Sequence, residues 1–373
     1  MDNTDQIRIL HVVTYMGRGG LETMIMNYYR HIDRSKVQFD FIVHRDFRAD
    51  YDDEIEALGG RIFHLPRLVP WSRSYLKTLE RFFRAHPEYK IVHVHQDCLS
   101  SVILKVAQKC CIPIRIAHSH SSSQDKNMKY LIKLFYKRFI PAYATQLFAC
   151  GKKAGEWMFG GTPFWILNNA IDTNRYSYNS ERHDSIRRKL QIPDSAFVIG
   201  HVGRFNTVKN HTFLLDVFAK AKEQNNNLML LLVGDGNLRA EIEQKAASLG
   251  ILSNVIFTGI RSDVPDLLQA MDCFVFPSHY EGLGIVVIEA QTAGLPCCIS
   301  TGVPREAAIT DLVQFRSLDD SPEQWAEWIL RHVDTPRKDM SEEIRKAGYD
   351  IAETSKWLEN YYLEAVKNLD QSN

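Results

Sequence analysis

The chain has 373 residues, 45% of them hydrophobic, with 45 Lys plus Arg against 45 Asp plus Glu. That length exceeds the usual single core, so two domains are expected, and the balanced charge gives no global attraction to nucleic acid. Seven cysteines, two pairs of them adjacent and none in C-x-x-C spacing, argue against a disulfide framework or zinc ribbon and fit a reducing cytosol.

The acidic start "MDNTDQ" before a short apolar run does not read as a signal peptide, and no stretch approaches the roughly 18 uncharged apolar residues of a membrane span. The first strand, "IRILHVV", runs into "MGRGGLETMIMNYY", a glycine turn opening a helix. Gly17 and Gly19 fit the start of a dinucleotide fingerprint, but Glu22 takes the third glycine position and no acidic residue ends the next strand, "FDFIVH". Gly19 and Gly20 either let the backbone approach a ligand or make a plain tight turn. In "ADYDDEIEALGG", Asp50 and Asp52 have the D-x-D spacing of a metal–nucleotide signature. Acidic residues in a first helical turn, closed by glycines, favour helix punctuation instead.

Strands "RIFHLP", "KIVHVHQ", "IRIAHS" and "QLFACG" follow. His93, His95, Asp97, His118 and His120 sit at neighbouring strand ends and are the ligand types of a metal hydrolase. No H-E-x-x-H or bridging carboxylate accompanies them, so the expectation is no metal. In "KNMKYLIKLFYKRF", Lys126, Lys129, Lys133 and Lys137 recur at helical spacing while Leu131, Ile132, Phe135 and Phe139 fill another face. Residues 126–139 therefore read as a basic amphipathic helix suited to anionic headgroups, or as a core-packed helix with solvated lysines.

A polar stretch around Asn168–Tyr176 reads as a linker, after which strands restart: "FVIGHVG", "LMLLLVGDG", "VIFTG", "CFVFPS" and "LPCCIS". Near-continuous apolar strands separated by helices predict an α/β protein with two doubly wound parallel sheets. Ligands of such sheets bind beyond the strands' carboxyl ends. There "GRFNTVKN" offers Gly203, Arg204 and Lys209 to a diphosphate, or merely a solvated basic turn. "VGDG" places Gly234 and Gly236 in a tight turn capped by Asp235. "HYEGLGIVVIEAQTAG" is the strongest signal: Gly282 and Gly284 expose amides, a helix runs to Gly294, and Glu281 and Glu289 offer acceptors to sugar hydroxyls, against a plain reading of helix capping and one exposed glutamate. "SKWLENYYLEAVKNL" reads as a final helix.

"VGRFNTVKN", "LLLVGDG", "FTGIRSDVPDLLQAMDCFVFPSHYEGLGIVVIEAQTAGLP" and "NNAIDTNRY" together resemble the family 4 retaining glycosyltransferases of GT-B fold, especially bacterial polysaccharide enzymes, over nearly the whole chain. The resemblance implies two Rossmann-like domains facing across a cleft, residues 1–170 for the acceptor, with helix 354–373 crossing back, and 171–353 for the nucleotide-sugar donor. Glu281, with Gly282, Leu283, Gly284 and Ile285, would hold the donor sugar, and Glu289 the ribose. Arg204 and Lys209 would hold the diphosphate, with Gly203, Gly234 and Arg261 completing that site. Gly19 and Gly20 would match the glycine-rich loop, and His118, with His120 as the alternative and His95 nearby, the histidine that contacts sugar and acceptor. The implied reaction moves a hexose from a nucleotide sugar, UDP-linked by family habit, to a sugar or lipid-linked sugar acceptor. It is a front-face substitution without protein nucleophile, cofactor or metal, in which Glu281, His118, Arg204 and Lys209 assist. A cytoplasmic protein, peripheral on the membrane, is expected. The rival readings are a nucleotide-sugar 2-epimerase of the same architecture and a non-catalytic sugar-binding module.

Overall fold

A computed structural model describes residues 6–121, 130–333 and 335–371. The chain divides into two units: Ile171–Tyr349 forms one, and the residues before and after it form the other.

The first unit is built on a seven-stranded parallel sheet of order β3-β2-β1-β4-β5-β6-β7, comprising β1 (Ile7–Val12), β2 (Val37–Val43), β3 (Ile62–His64), β4 (Ile91–Val94), β5 (Ile114–Ser119), β6 (Gln146–Ala149) and β7 (Trp165–Ile166). Successive side chains point to opposite faces, and both faces are covered, which is why these strands read as unbroken apolar runs. Ile9, Phe39, Phe41, Ile91, Ile116 and Phe148 share a core with Met24 and Tyr28 of helix Gly20–His31 and Leu358 and Tyr362 of helix Ile351–Asp370. Leu10, Val12, Ile42, Val92 and Val94 share the other with Tyr75 and Leu79 of helix Arg73–Ala85 and Val102 and Ile103 of helix Ser100–Lys109. The last helix starts at a side-chain cap, the Asp350 carboxylate accepting from the amides of Ala352 and Glu353.

The second unit has a six-stranded parallel sheet of order β10-β9-β8-β11-β12-β13: β8 (Phe197–Val202), β9 (Leu228–Val233), β10 (Val255–Phe257), β11 (Cys273–Phe276), β12 (Cys297–Ser300) and β13 (Val313–Arg316). Val198, Leu231, Phe274 and Phe276 face a core closed by Val287 and Ile288 of helix Ile285–Thr292. Ile199, Leu230, Leu232 and Val275 face Leu214 and Phe218 of helix His211–Gln224 and the buried Trp325 and Trp328.

Every segment read as a strand is one. Two strands were not expected: β7, whose Trp165 and Ile166 are both exposed, and β13, a mixed "VQFR". Both are edge strands, and an edge needs no continuous apolar run. Helix Tyr130–Lys137 has no fully buried residue: Tyr136 packs against the core that holds Val102 and Ile103, while Leu131 and Phe135 are 75% and 48% exposed; Lys126 and Lys129 lie outside the described residues. Among the described residues no helix is long and apolar enough to cross a membrane.

One charge is fully buried within the first sheet. The Asp40 carboxylate, mid-strand in β2, accepts from Arg8 Nε and Nη2 at 2.6 and 2.5 Å, from the Tyr89 hydroxyl at 2.7 Å and from the Arg61 amide at 2.7 Å. Burial pushes its pKa up, but the bonds from Arg8, Tyr89 and Arg61 outweigh it and hold the carboxyl below its ordinary value. Asp40→Asn should destabilise the unit by about 2–3 kcal/mol at neutral pH, less than a fully buried pair because Arg61 reaches solvent. With a depressed native pKa, Asp40 contributes fully above its unfolded value of about 3.9 and loses that contribution as pH falls through the native value. Urea melts should therefore show a wild-type-to-variant gap that is constant from pH 5 to 8 and closes in acid.

Candidate functional site

At the carboxyl edge of the second sheet the loops after β8, β9, β11 and β12 are tied main chain to main chain. The Phe205 amide donates to the Asp235 carbonyl (2.9 Å), Leu238 to Phe205 (3.1 Å), His279 to Val208 (2.8 Å) and Glu281 to Gly302 (3.2 Å). A Cβ on Gly234, where φ is +133°, would lie 2.2 Å from the Gly203 carbonyl oxygen, and one on Gly236 2.3 Å from that of Phe205. The two glycines of "VGDG" are thus required by the backbone of "GRF" pressing against them.

That lacing places the charges. The Asn206 side chain accepts from the Lys209 amide at 3.1 Å and closes the short turn Thr207–Lys209. The Lys209 side chain runs past Gly203, its ammonium lying 4.6 Å from the centre of the Phe276 ring and donating to Glu281 Oε1 at 2.6 Å. With 19% and 12% of their side chains exposed, Lys209 and Glu281 form a half-sheltered pair whose attraction is weakly screened. Arg204 is exposed. Gly282 is half-buried, Leu283 packs inward, and Gly284, at φ +81°, turns the chain into the helix that Ile285 opens. That helix stops at Gly294, where φ is +70° and the Leu295 amide returns to the Ala290 carbonyl.

Glu289 lies within this helix, 6% exposed, and accepts from the Tyr176 hydroxyl at 2.9 Å. Burial pushes its carboxyl up to about 7, against the opposing effect of Tyr176. Tyr176 ends the short helix Thr173–Tyr176, capped by Asp172, so "NNAIDTNRY" delivers a hydroxyl to the second glutamate. Arg261, beyond β10, is engaged by Asp263 through two bonds of 2.8 and 2.6 Å.

In the first unit the histidines at the ends of β1, β4 and β5 stack across the sheet. His93 Nε2 lies 3.0 Å from His118 Nδ1, and His93 Nδ1 lies 2.7 Å from the Tyr362 hydroxyl. His11 Nδ1 lies 3.0 Å from His95 Nε2, and His95 Nδ1 lies 2.8 Å from His120 Nε2. Burial pushes His11 and His120 down to about 3 and holds His93, His95 and His118 well below the ordinary value, so all five rings are neutral. His11, His93 and His95, and likewise His95, His118 and His120, bring one ring nitrogen each within 4.8 Å of one another. Facing nitrogens at hydrogen-bond distance are nearer than the roughly 3.3 Å that ligands around tetrahedral zinc require.

On the same unit, the Glu22 carboxyl folds over Gly19, where a Cβ would meet Glu22 Oε2 at 2.3 Å, whereas one on Gly20 would meet nothing within 4 Å. Both carboxylates of the D-x-D pattern serve local backbone: Asp50 accepts from the Arg18 amide (3.1 Å), and Asp52, opening helix Asp52–Ala57, from that of Ala49 (2.8 Å).

The structure thus joins Gly203, Lys209, Gly234 and Glu281 at one edge of the second sheet and His95, His118 and His120 at one edge of the first. Residues that sequence reasoning passed over are Tyr176, Phe276 and Asn206 in the second unit and His11 and Tyr362 in the first. His11 carried a signal, a lone imidazole inside "ILHVV". Its meaning needed the strand order, in which it is the register partner of His93.

Comparison with known proteins follows the same division. Residues 182–350 match the family model described as glycosyl transferases group 1, and residues 18–175 match that of glycosyltransferase family 4. The protein EpsF of Bacillus subtilis (strain 168) is 37% identical over 373 residues, covering 96% of this chain and 97% of its own. The capsular polysaccharide biosynthesis glycosyltransferase CapH of Staphylococcus aureus is 24% identical, covering 96% and 99%. Among solved structures, Anabaena HepE in complex with UDP and glucose superposes with a TM-score of 0.80 at 17% identity, covering 96% of this chain and 99% of that one. That likeness is one of fold, the GT-B architecture of two parallel-sheet α/β domains.

Because Glu289 is protonated in the native state up to about pH 7 but ionises near 4.5 when unfolded, it stabilises fully below pH 4.5 and loses that contribution as pH rises through 7. Glu289→Gln removes this titration. Thermal melts should show the variant gaining on wild type between pH 4.5 and 7, reaching about 3 kcal/mol at pH 8; a pH-independent difference would mean that Glu289 is ionised in the folded protein.

Proposed function

The chain belongs to the group 1 glycosyl transferases, and from that premise we propose that it moves a hexose, with retention of configuration, from a UDP-linked donor to a sugar or lipid-linked sugar acceptor in making an extracellular or capsular polysaccharide. The observation that carries this reading is the Lys209–Glu281 pair held over Phe276 by the laced loops of the second sheet. A diphosphate needs positive charge, and a sugar needs acceptors for its hydroxyls; this edge supplies both within one ion pair. Lys209 and Arg204 take the diphosphate, and Glu281 with the Gly282–Ile285 segment takes the sugar. Glu289 and Tyr176 take the ribose. The leaving phosphate receives the acceptor's proton, so no protein nucleophile is required. The two basic side chains stabilise its developing charge without a divalent cation.

The test is UDP release from UDP-hexoses in chelator, with and without lipid extract. Release that depends on the extract and survives the chelator is expected. Turnover without acceptor would point to epimerase chemistry, and dependence on manganese would return Asp50 and Asp52 to the site. Calorimetry with UDP should find Arg204→Ala and Lys209→Ala weaker by roughly tenfold to a hundredfold, the loss of a charged hydrogen bond of about 1.5–3 kcal/mol. Glu281→Gln should bind UDP as well as wild type or better, since it frees Lys209 from a carboxylate, while transfer falls sharply.

Helix Tyr130–Lys137 is the surface for a lipid-linked acceptor's membrane. It leaves Leu131 and Phe135 in solvent beside Lys133, a combination that suits anionic headgroups. Lys133→Glu should weaken binding to phosphatidylglycerol vesicles about fivefold at low salt, and unchanged binding would remove this surface.

A further inference from the structure

The loop that follows β12, residues 301–310, carries no group assigned to the donor, yet it is joined to both ends of the segment that holds the two glutamates. At one end the Gly302 carbonyl accepts from the Glu281 amide at 3.2 Å. A Cβ on Gly302 would lie 2.1 Å from the His279 carbonyl oxygen and 2.9 Å from that of Ser278. Gly302 does not have a positive φ, so it is room, not backbone conformation, that calls for glycine here. Just before it, the Ser300 hydroxyl donates to the Ser278 carbonyl. At the other end the loop is held by Gln291, fully buried in helix Ile285–Thr292 two positions beyond Glu289. The Gln291 side-chain oxygen accepts from the amides of Ile309 (3.0 Å) and Thr310 (2.9 Å) and from the Thr310 hydroxyl (3.1 Å), and its nitrogen donates to the Ala307 carbonyl (2.7 Å). These attachments decide which side yields when Gly302 is enlarged. The loop is fixed by that buried amide and by the bond from the Thr301 amide to the Arg316 carbonyl of β13 (2.9 Å). The turn facing it contains Gly282 and Gly284 and exposes His279 and Tyr280. Volume added at Gly302 therefore moves the turn, and Glu281 with it, away from Lys209.

We infer that Gly302 is a positioning residue for Glu281: braced through its loop by Gln291, it sets where the turn His279–Gly284 rests and so where the Glu281 carboxylate stands. The consequence for transfer rests on the glycosyl-transfer reading; the placement of Glu281 does not. Gly302 acts on the sugar half of the donor site and leaves the diphosphate half as it is, because Lys209 is held from the other side by Asn206.

The test is Gly302→Ala in the full chain. Its crystal structure should show residues 301–310 in place and Glu281 drawn off Lys209 beyond hydrogen-bond distance; a displaced loop with Glu281 still on Lys209 overturns the inference. In transfer assays kcat should fall about ten- to a hundredfold, the effect of an ångström-scale misplacement, while calorimetry finds UDP bound as tightly as by wild type or more so. UDP binding that weakens in step with transfer would mean general damage to the site and overturns the inference as well. The double variant Gly302→Ala/Glu281→Gln should transfer no worse than Glu281→Gln alone, since both changes act through one carboxylate; additive losses would place the effect of Gly302 elsewhere. Where Gly302→Ala does not fold, Ser300→Ala removes a tie to the same turn without adding volume. It should lower kcat about three- to fivefold with UDP affinity unaltered, and an unchanged rate overturns the inference. Since the crystals need no substrate, a chain that transfers no hexose yet shows Glu281 displaced in Gly302→Ala overturns the proposed activity while leaving the placement standing.

Discussion

The second unit depends on main chain packed against main chain. Side chains alone would leave Lys209 and Glu281 on independent loops. What sets their separation is the Gly203–Phe205 segment resting on Gly234 and Gly236, and the bonds from His279 to Val208 and from Glu281 to Gly302. No side chain intervenes at these contacts, so the loops have little room to adjust, and the ammonium, the carboxylate and the Phe276 ring meet without further ordering. A charged site assembled this way has lost its conformational entropy during folding and loses less on binding.

The two units solve the burial of polar groups by opposite means. In the second, opposite charges meet where solvent still reaches them. In the first, the polar residues at the strand ends are imidazoles that burial keeps neutral, linked ring to ring, with His11 Nε2, His118 Nε2 and His120 Nδ1 left without a partner among the described residues. Neutral rings avoid the desolvation that a buried cation would incur, and they leave donor and acceptor character as the property the site controls. Asp40, at the other flank of that sheet, is the exception, and it is tolerated because two arginines and a phenol converge on it.

The strand–helix alternation and the loops carrying Lys209 and Glu281 were legible because parallel strands buried on both faces announce themselves as apolar runs, and functional loops follow them. Edge strands β7 and β13 were not, since both residues of β7 are exposed and no residue of β13 is fully buried. Glu281 and Glu289 look alike in "HYEGLGIVVIEAQ", but one lies outside the helix in an ion pair and the other inside it against a phenol. Eight positions of spacing carry no information about which neighbour from elsewhere in the chain will arrive. The same holds for Tyr362, whose partner His93 is 269 residues away. Leu131, Ile132 and Phe135 of helix Tyr130–Lys137 have helical spacing yet stay exposed, while Tyr136 meets the core; periodicity reports that a helix has sides, not what covers them.

The last helix has a temporal consequence. Ile351, Leu358, Tyr362 and Val366 close the face of the first sheet that carries Ile9, Phe39 and Ile91. During synthesis that sheet emerges first, yet its lid is encoded after the whole second unit has been made. For the time needed to translate some 180 residues, on the order of 10–40 s at bacterial elongation rates, the nascent sheet has its outermost helix missing and an aromatic, histidine-rich face open to water and to other chains. Synthesis of the second unit is therefore a waiting period for the first, whose sheet is closed only when residue 350 and its successors leave the ribosome.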